Sequence, residues 1–287
     1  MNFLKFFLYT ICFSICSVSC RTGNNEQLPK NTVIDVIKQK SESQILVCAH
    51  RSFHKTAPEN SMLSIKKAIK SNIDIIEIDV RTTKDSLLVL MHDKTIDRTS
   101  NGKGLISDYT YHELLNFYLT SNDSVTFEKI PLLSEVLDLC KNRIIVNLDL
   151  KAVNYEQLYN LLKEKNMQYD VISFIGSKDK VQYMLSIDDL YAVLPLSKST
   201  EDILYYSTNT KSALQHFTDE SFNKKDIELA KNNGQLIFIN SLWDEDVEFN
   251  NGNTKPMDSI IALKPNIIQT DHPKLLVEYL SSIGLHN

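Results

Sequence analysis

Glycine is scarce in this sequence, with 7 residues in 287, which is few for a loop-rich fold. Cysteine is scarcer than its total suggests. Three of the five, Cys12, Cys16 and Cys20, fall in the first twenty residues, which leaves Cys48 and Cys140. Two cysteines do not make a disulfide framework. Cys48 also sits in the apolar stretch Ile45–His50, where cysteine behaves as a small core residue. No dense basic block is present, and 31 Lys and Arg against 36 Asp and Glu give a net charge of −5. That balance argues against nucleic acid as a partner. No Walker-type glycine-rich loop occurs, so handling of nucleoside triphosphates is not indicated. No apolar run reaches the roughly 20 residues of a membrane-spanning helix. A hydrophobic fraction of 43% and a charged fraction of 23% exclude a disordered, collagen-like or multispan membrane chain.

The N-terminus reads as an address. Lys5 precedes an apolar run from Phe6 to Cys16, and the small residues Ser17, Val18 and Ser19 lead into Cys20. This order of charged, apolar and small segments is that of a secretory signal. It resembles a bacterial lipoprotein signal, with Cys20 as the lipidated first mature residue, although Ser17 stands where such signals usually carry Leu. A plain signal cleaved near Ser19, or an uncleaved anchor, are the other readings. The lipoprotein reading implies an exported protein held to a membrane by its lipid. Residues 21–44 read as a polar tether leading to a weak helix, with one domain expected over 45–285.

From residue 45 short apolar runs alternate with stretches of helical period. The strand-like runs are Ile45–His50, Asp74–Val80, Leu87–His92, Ile144–Leu150, Val171–Ile175, Tyr191–Leu196, Ala213–Phe217, Leu236–Asn240 and Ile267–Thr270. Helical patterns between them include Ser61–Ser71, Ser134–Lys141, Tyr155–Lys165, Ser177–Ser186, Ser221–Asn233 and Pro273–Ser282. Near-continuous apolar strands separated by helices predict a parallel sheet covered on both faces. An α/β barrel of about 250 residues fits the length. Nine strands is one too many for eight, but Arg81–Ser86 is too short for a crossover helix. Asp74–Val80 and Leu87–His92 therefore read as a hairpin turning near Lys84-Asp85-Ser86. Residues 79 and 91 then lie opposite each other, and His92 comes close to Glu77 and Asp79.

Chemistry in a parallel barrel sits at the C-terminal ends of the strands. Here those ends carry His50-Arg51, Glu77 and Asp79, His92-Asp93, Asp149 and Lys151, then Trp243 and Asp271. Residues two apart share one face of a strand. Each has a bland reading: a hydrogen-bonded core histidine, a buried ion-pair network, a packed tryptophan, a capping aspartate. Together they place three carboxylates, two histidines, an arginine and a lysine at one mouth, and burying so much charge without use is costly. Three carboxylates suit a hard divalent cation, Mg2+ or Ca2+, better than zinc. Arginine and lysine beside such a cation suit a phosphate. Two separate histidines suit a general acid and a general base.

In order and spacing these motifs resemble the glycerophosphodiester phosphodiesterases, a TIM-barrel group of metal-dependent enzymes. The resembling residues are Ala49-His50-Arg51, Pro58-Glu59-Asn60-Ser61, Glu77-Ile78-Asp79-Val80, Thr83-Lys84-Asp85 and His92-Asp93. They continue with Asp97-Arg98-Thr99, Asn101-Gly102-Lys103-Gly104, Ile130–Glu135, Asp149-Leu150-Lys151, Ser173-Phe174, Asn240-Ser241-Leu242-Trp243 and Thr270-Asp271-His272-Pro273. The resemblance implies a (β/α)8 barrel with a hairpin extension and a small inserted segment, about 94–135, that roofs the site. It implies that Glu77, Asp79 and Asp149 hold one divalent cation, and that His50 and His92 are the acid–base pair. Arg51 and Lys151 would bind the phosphate, Trp243 would line the pocket for the glycerol or alcohol part, and Glu59 and Asn60 would support the site. The implied reaction turns a glycerophosphodiester into glycerol 3-phosphate and an alcohol, the attacking oxygen being water or the glycerol 2-hydroxyl. Four positions depart from the family pattern: Ser52, Asn72 and Ser86 stand for Gly, and Asp149 stands for Glu. Three competing readings are a phospholipase C-like or D-like enzyme acting on intact lipid, a lipoprotein that binds phosphoesters without turnover, and a purely structural barrel, which the polar cluster argues against.

Overall fold

The computed structural model describes residues 31–122, 124–218 and 223–287. The expected signal segment, Cys20 and the first part of the tether lie outside the described residues. Eight parallel strands form the barrel: β1 (Leu46–Ala49), β2 (Ile75–Thr82), β6 (Ile145–Ala152), β7 (Val171–Ile175), β8 (Val193–Pro195), β9 (Leu214–Phe217), β10 (Leu236–Asn240) and β11 (Ile267–Thr270). Between β2 and β6 come β3 (Leu88–Leu90) and a small hairpin of β4 (Thr120–Ser121) and β5 (Ser124–Val125). The strand order is β8-β7-β6-β2-β1-β11-β10-β9. A parallel bridge between Leu196 and His216, with the Ser197 amide donating to the His216 carbonyl at 3.1 Å, joins the two ends of that order. β3 runs antiparallel to β2 with Val80 opposite Leu90, and the Met91 amide donates to the Asp79 carbonyl. The predicted hairpin register therefore holds.

The period of two along each strand divides the molecule into layers. One face of β1, β10 and β11, carrying Val47, Ile237, Ile239 and Ile268, packs outward. It lies under the helices α8 (Lys224–Asn232), α10 (Lys255–Ala262) and α11 (Pro273–Ser282), which contribute Ile227, Met257, Ile260 and Leu276. The inward face is apolar low in the barrel, with Leu46, Cys48, Ile75, Leu194, Leu214, Phe238 and Ile267 in one cluster. One step further along the same faces it turns polar, at Glu77, Asn147, Gln269, His216 and Asn240, all buried. The apolar lower layer supplies the burial energy, and the polar layer above it is where chemistry can be housed.

The second half of 21–44 holds the helix that the sequence places after the tether. α1 (Val33–Lys40) is capped by a reciprocal pair, Thr32 accepting from the Asp35 amide and Asp35 accepting from the Thr32 amide. Its buried Val33 and Ile37 join the interior cluster and close the barrel floor, so the folded domain begins before residue 45. Burying two such side chains stabilises by about 3–5 kcal/mol, more than a short helix of ordinary propensity costs to order. Cys48 and Cys140 are buried free thiols, as expected. No described helix is long and apolar enough to cross a membrane.

Candidate active site

The loop after β1 carries the first functional residues in strained backbone. Arg51 and Ser52 both have positive φ, 46° and 64°. The turn is held by the Ser52 amide, which donates to the carbonyls of Ala49 and Glu77, and by the Arg51 amide, which donates to Glu77 Oε2 at 2.8 Å. Ser52, one of the positions where the resembling family has Gly, thus occupies a conformation that favours Gly. Asn72 and Ser86 do the same, at 54° and 63°.

β2 and β6 bring the three predicted carboxylates together. Glu77, Asp79 and Asp149 each offer an oxygen within 4.8 Å of the others. Asp79 and Asp149 are direct strand neighbours, a like-charge pairing that a sheet tolerates poorly unless compensated. Lys151 compensates it, at 2.7 Å from Asp149 and 3.1 Å from Asp79. Asn60, itself at φ 54°, donates to Asp79 Oδ2 at 2.7 Å and accepts from the Asp79 amide. Burial, then the charges of Asp79 and Asp149, push the Glu77 carboxyl well above its ordinary range. Burial also raises Asp149, despite Lys151. This clustered, oxygen-only and electrostatically strained donor set fits a hard divalent cation, which would relieve the repulsion.

Each predicted histidine is paired through Nδ1 with a carboxylate. His50 Nδ1 lies 2.7 Å from Asp271 Oδ1, and His92 Nδ1 lies 2.6 Å from Asp93 Oδ1. With Nδ1 turned to its carboxylate, Nε2 of each ring is left to the cavity, able to accept a proton when bare and to give one when protonated. Arg81 donates twice to the His92 carbonyl and fixes that backbone. Lys55 donates to Asp271 at 3.0 Å, and His54 Nε2 stands 3.5 Å from the same carboxylate. Burial raises Asp271, but the His50 hydrogen bond and the surrounding positive groups outweigh it and hold the carboxyl below its usual range. Arg98 grips Asp93 with two hydrogen bonds and Glu59 with two more, and Arg51 also bonds Glu59. These bonds depress the Asp93 carboxyl, Arg98 first among them. Glu59 is likewise lowered, since its two arginines outweigh its burial.

A cavity of about 480 Å3 opens at this mouth. His50, Arg51, Glu77, His92, Asp149 and Trp243 line it. Trp243 has φ 72°, is 56% exposed and forms the rim ahead of α9 (Asp244–Asn250). Asp79, Asn60, Glu59 and Lys151 stand behind the lining. Lys151, read as a phosphate ligand, is engaged by Asp79 and Asp149, because adjacent carboxylates draw the nearest flexible cation. The inserted segment 94–135, read as a roof, lines none of the cavity among the described residues. It folds around its own small core of Ile96, Ile106, Leu114, Leu119 and Ile130, and reaches the site through Arg98.

Sequence reasoning placed Asp93 and Asp271 among the polar strand ends with capping as their bland reading, gave Arg98 no role beyond its motif, and did not single out His54, His216 or Asp246. A signal existed for Asp271. A closed barrel pairs first and last strands, and Ala49 opposite Thr270 puts His50 beside Asp271. His216, next to last in the run Ala213–Phe217, carried the same strand-end signal, whereas Asp246, within the helix after β10, carried none.

Fold and site together define an α/β barrel with a largely buried carboxylate triad at its mouth, flanked by two carboxylate-paired histidines. The profile of the glycerophosphoryl diester phosphodiesterase family matches residues 50–237, well over half of the sequence. The chain belongs to that family. It is 39% identical over 136 residues to a glycerophosphodiester phosphodiesterase of Caldanaerobacter subterraneus, covering 44% of this chain and 56% of that protein. It is 42% identical over 127 residues to one from Bacillus altitudinis, covering 42% and 49%. The matches thus span about half the length of these curated relatives. A glycerophosphoryl diester phosphodiesterase crystal structure from Parabacteroides distasonis superposes with a TM-score of 0.80 at 26% identity, over 88% of this chain and 93% of that one. An Oleispira antarctica phosphodiesterase, solved in complex with sn-glycerol-3-phosphate, shares the fold with a TM-score of 0.69 at 20% identity, over 84% and 97%.

Proposed function

We propose that this protein hydrolyses glycerophosphodiesters to glycerol 3-phosphate and an alcohol, using one divalent cation, Mg2+ or Ca2+. The observation that carries the reading is the pair of histidines, each oriented through Nδ1 by a carboxylate, lining one cavity with Glu77 and Asp149. A phosphodiester needs a proton removed from the attacking oxygen and another given to the leaving one, and two separate Nε2 atoms meet both needs. Glu77, Asp79 and Asp149 would hold the cation, which when bound offsets negative charge on the phosphoryl oxygens. Arg51 shares that task, its guanidinium fixed by Glu59 against the mouth. Glu59, with Arg98, keeps Arg51 and Asp93 in one charged frame. One histidine takes the proton of the incoming oxygen as its bond to phosphorus forms. The other, which starts with a proton on Nε2, gives it to the alkoxide as the old P–O bond breaks. Trp243 at the rim offers a flat apolar surface to the departing alcohol. The bound glycerol 3-phosphate of the Oleispira protein supports this choice of product. Lipidation at Cys20 would hold the enzyme at a membrane on the exported side, close to lipid-derived substrates.

The test uses purified protein stripped with EDTA, with glycerol 3-phosphate release followed from glycerophosphocholine and glycerophosphoinositol. Release should vanish on stripping and return with Mg2+ or Ca2+. His50→Ala and His92→Ala should each lower kcat by about 10²–10⁴ while the far-UV circular dichroism stays unchanged. Absence of release with either cation, from protein that melts cooperatively, would reject the reading. An intact phospholipid assayed alongside separates the lipase alternative.

A further inference from the structure

The cavity continues past the carboxylates to the opposite wall of the barrel, where its polar groups lack partners. Neither ring nitrogen of His216 has a hydrogen bond, nor has Oδ1 of Asn240. Both residues line the cavity and are more than nine-tenths buried, at 5% and 7% exposure. Native proteins rarely leave such atoms unpaired unless a ligand or ordered water completes them. Topology sets this wall apart from the proposed cation. β9 lies four strands from β2 in either direction around the ring, and β10 is its neighbour.

The surroundings define what could bind. The His216 ring is held edge-on between Phe174 and Phe238, at centroid distances of 5.0 and 5.2 Å. Burial pushes its imidazole down to about 4 against the raising influence of the adjacent Asn240 side chain, so the ring is neutral at physiological pH. A neutral imidazole offers one donor and one acceptor, and Asn240 Oδ1 adds an acceptor. The nearby carboxylate of Asp246 is already engaged by Ser241, Thr270 and the Asp271 amide. A quaternary ammonium has no N–H for the two acceptors. An anion would accept from one nitrogen and leave the acceptors unmet. A hydroxyl both donates and accepts, and two neighbouring hydroxyls would satisfy the whole set.

We infer that His216 and Asn240 form an uncharged subsite for the hydroxyls of a polyol, across the barrel from the carboxylate cluster. The inference rests on the hydrolase reading of the same cavity and says which part of the substrate reaches the far wall. Two parts carry that chemistry: the glycerol arm common to all glycerophosphodiesters, and the alcohol when it is itself a polyol.

His216→Phe keeps ring volume and stacking while removing both nitrogens, and Asn240→Ala is the second variant. Each is melted to verify folding, then assayed with its cation on glycerophosphocholine and glycerophosphoglycerol. Loss of about tenfold in kcat/KM on both substrates assigns the subsite to the glycerol arm. The same loss on glycerophosphoglycerol alone assigns it to a polyol alcohol. Unchanged kcat/KM on both substrates in both variants overturns the inference. If the wild type turns over neither substrate, the hydrolase reading fails separately. Glycerol itself is then titrated into protein labelled with 15N-histidine. Shifts of the His216 ring resonances sustain the subsite, and their absence up to molar glycerol rejects it.

Discussion

His50 and His92 show how little of a catalytic residue is its own side chain. Each ring is useful only because a carboxylate on Nδ1 decides which nitrogen faces the cavity. Asp271→Asn should therefore lower kcat by on the order of 10²-fold, the cost of a misdirected proton. KM should change far less, and steady-state kinetics on glycerophosphocholine read both. Asp93→Asn should behave alike. Ser52 illustrates the opposite relation, a residue kept in place against its preference. It has φ 64°, and its buried hydroxyl has no partner. Ser52→Gly relieves about 1–2 kcal/mol of left-handed strain and gives back part of it as unfolded-chain entropy. A net gain of about 1 kcal/mol is expected in a urea titration.

Among the elements, the shortage of glycine finds its answer at helix ends. α2 (Met62–Lys70), α4 (Leu133–Cys140) and α5 (Tyr155–Glu164) are each followed by an asparagine in the left-handed region, Asn72, Asn142 and Asn166. Asparagine tolerates that conformation, so it takes the terminating role that glycine usually holds. α10 ends on Lys264 at φ 52°, where no such tolerance exists. Lys264→Gly should raise stability by about 0.5–1 kcal/mol, visible as a higher Tm. The strands were readable because each is a short apolar run. α7 (Thr200–Thr208), α9 and α10 were not singled out. α9 has Trp243, with no side-chain cap bond, in the place of a conventional cap.

Over the whole molecule, the floor of the barrel is latched by Asp74. Its Oδ2 accepts from the Val47 amide at 3.0 Å and pairs with His286 Nε2 at 2.8 Å, while Lys40 of α1 approaches Oδ1 at 3.3 Å. Burial alone would raise this carboxyl, but His286, the Val47 amide and Lys40 hold it below its ordinary value. A lowered carboxyl contributes its full stability above about pH 4 and loses it as pH falls through the lower folded value. Asp74→Asn should cost about 2–3 kcal/mol at pH 7. The gap from wild type should close as pH falls below about 4, in denaturant titrations run at both ends. A gap that stays constant with pH would mean that the latch does not depend on the charge of Asp74.

Sequence alone determined the barrel, the hairpin register, the carboxylate triad and both histidines. The strands and the hairpin follow from periodicity and loop spacing, which are local, and Asp149 joins Glu77 and Asp79 because parallel strands of a barrel end at one mouth. It also marked Ser52, Asn72 and Ser86 as standing where glycine belongs. The tertiary structure decided what distance along the chain conceals. It brought Asp271 to His50, drew Lys151 between Asp79 and Asp149, set α1 into the floor and carried His216 to the wall facing Glu77. Ring closure sets those neighbours, and it joins residues up to 221 positions apart.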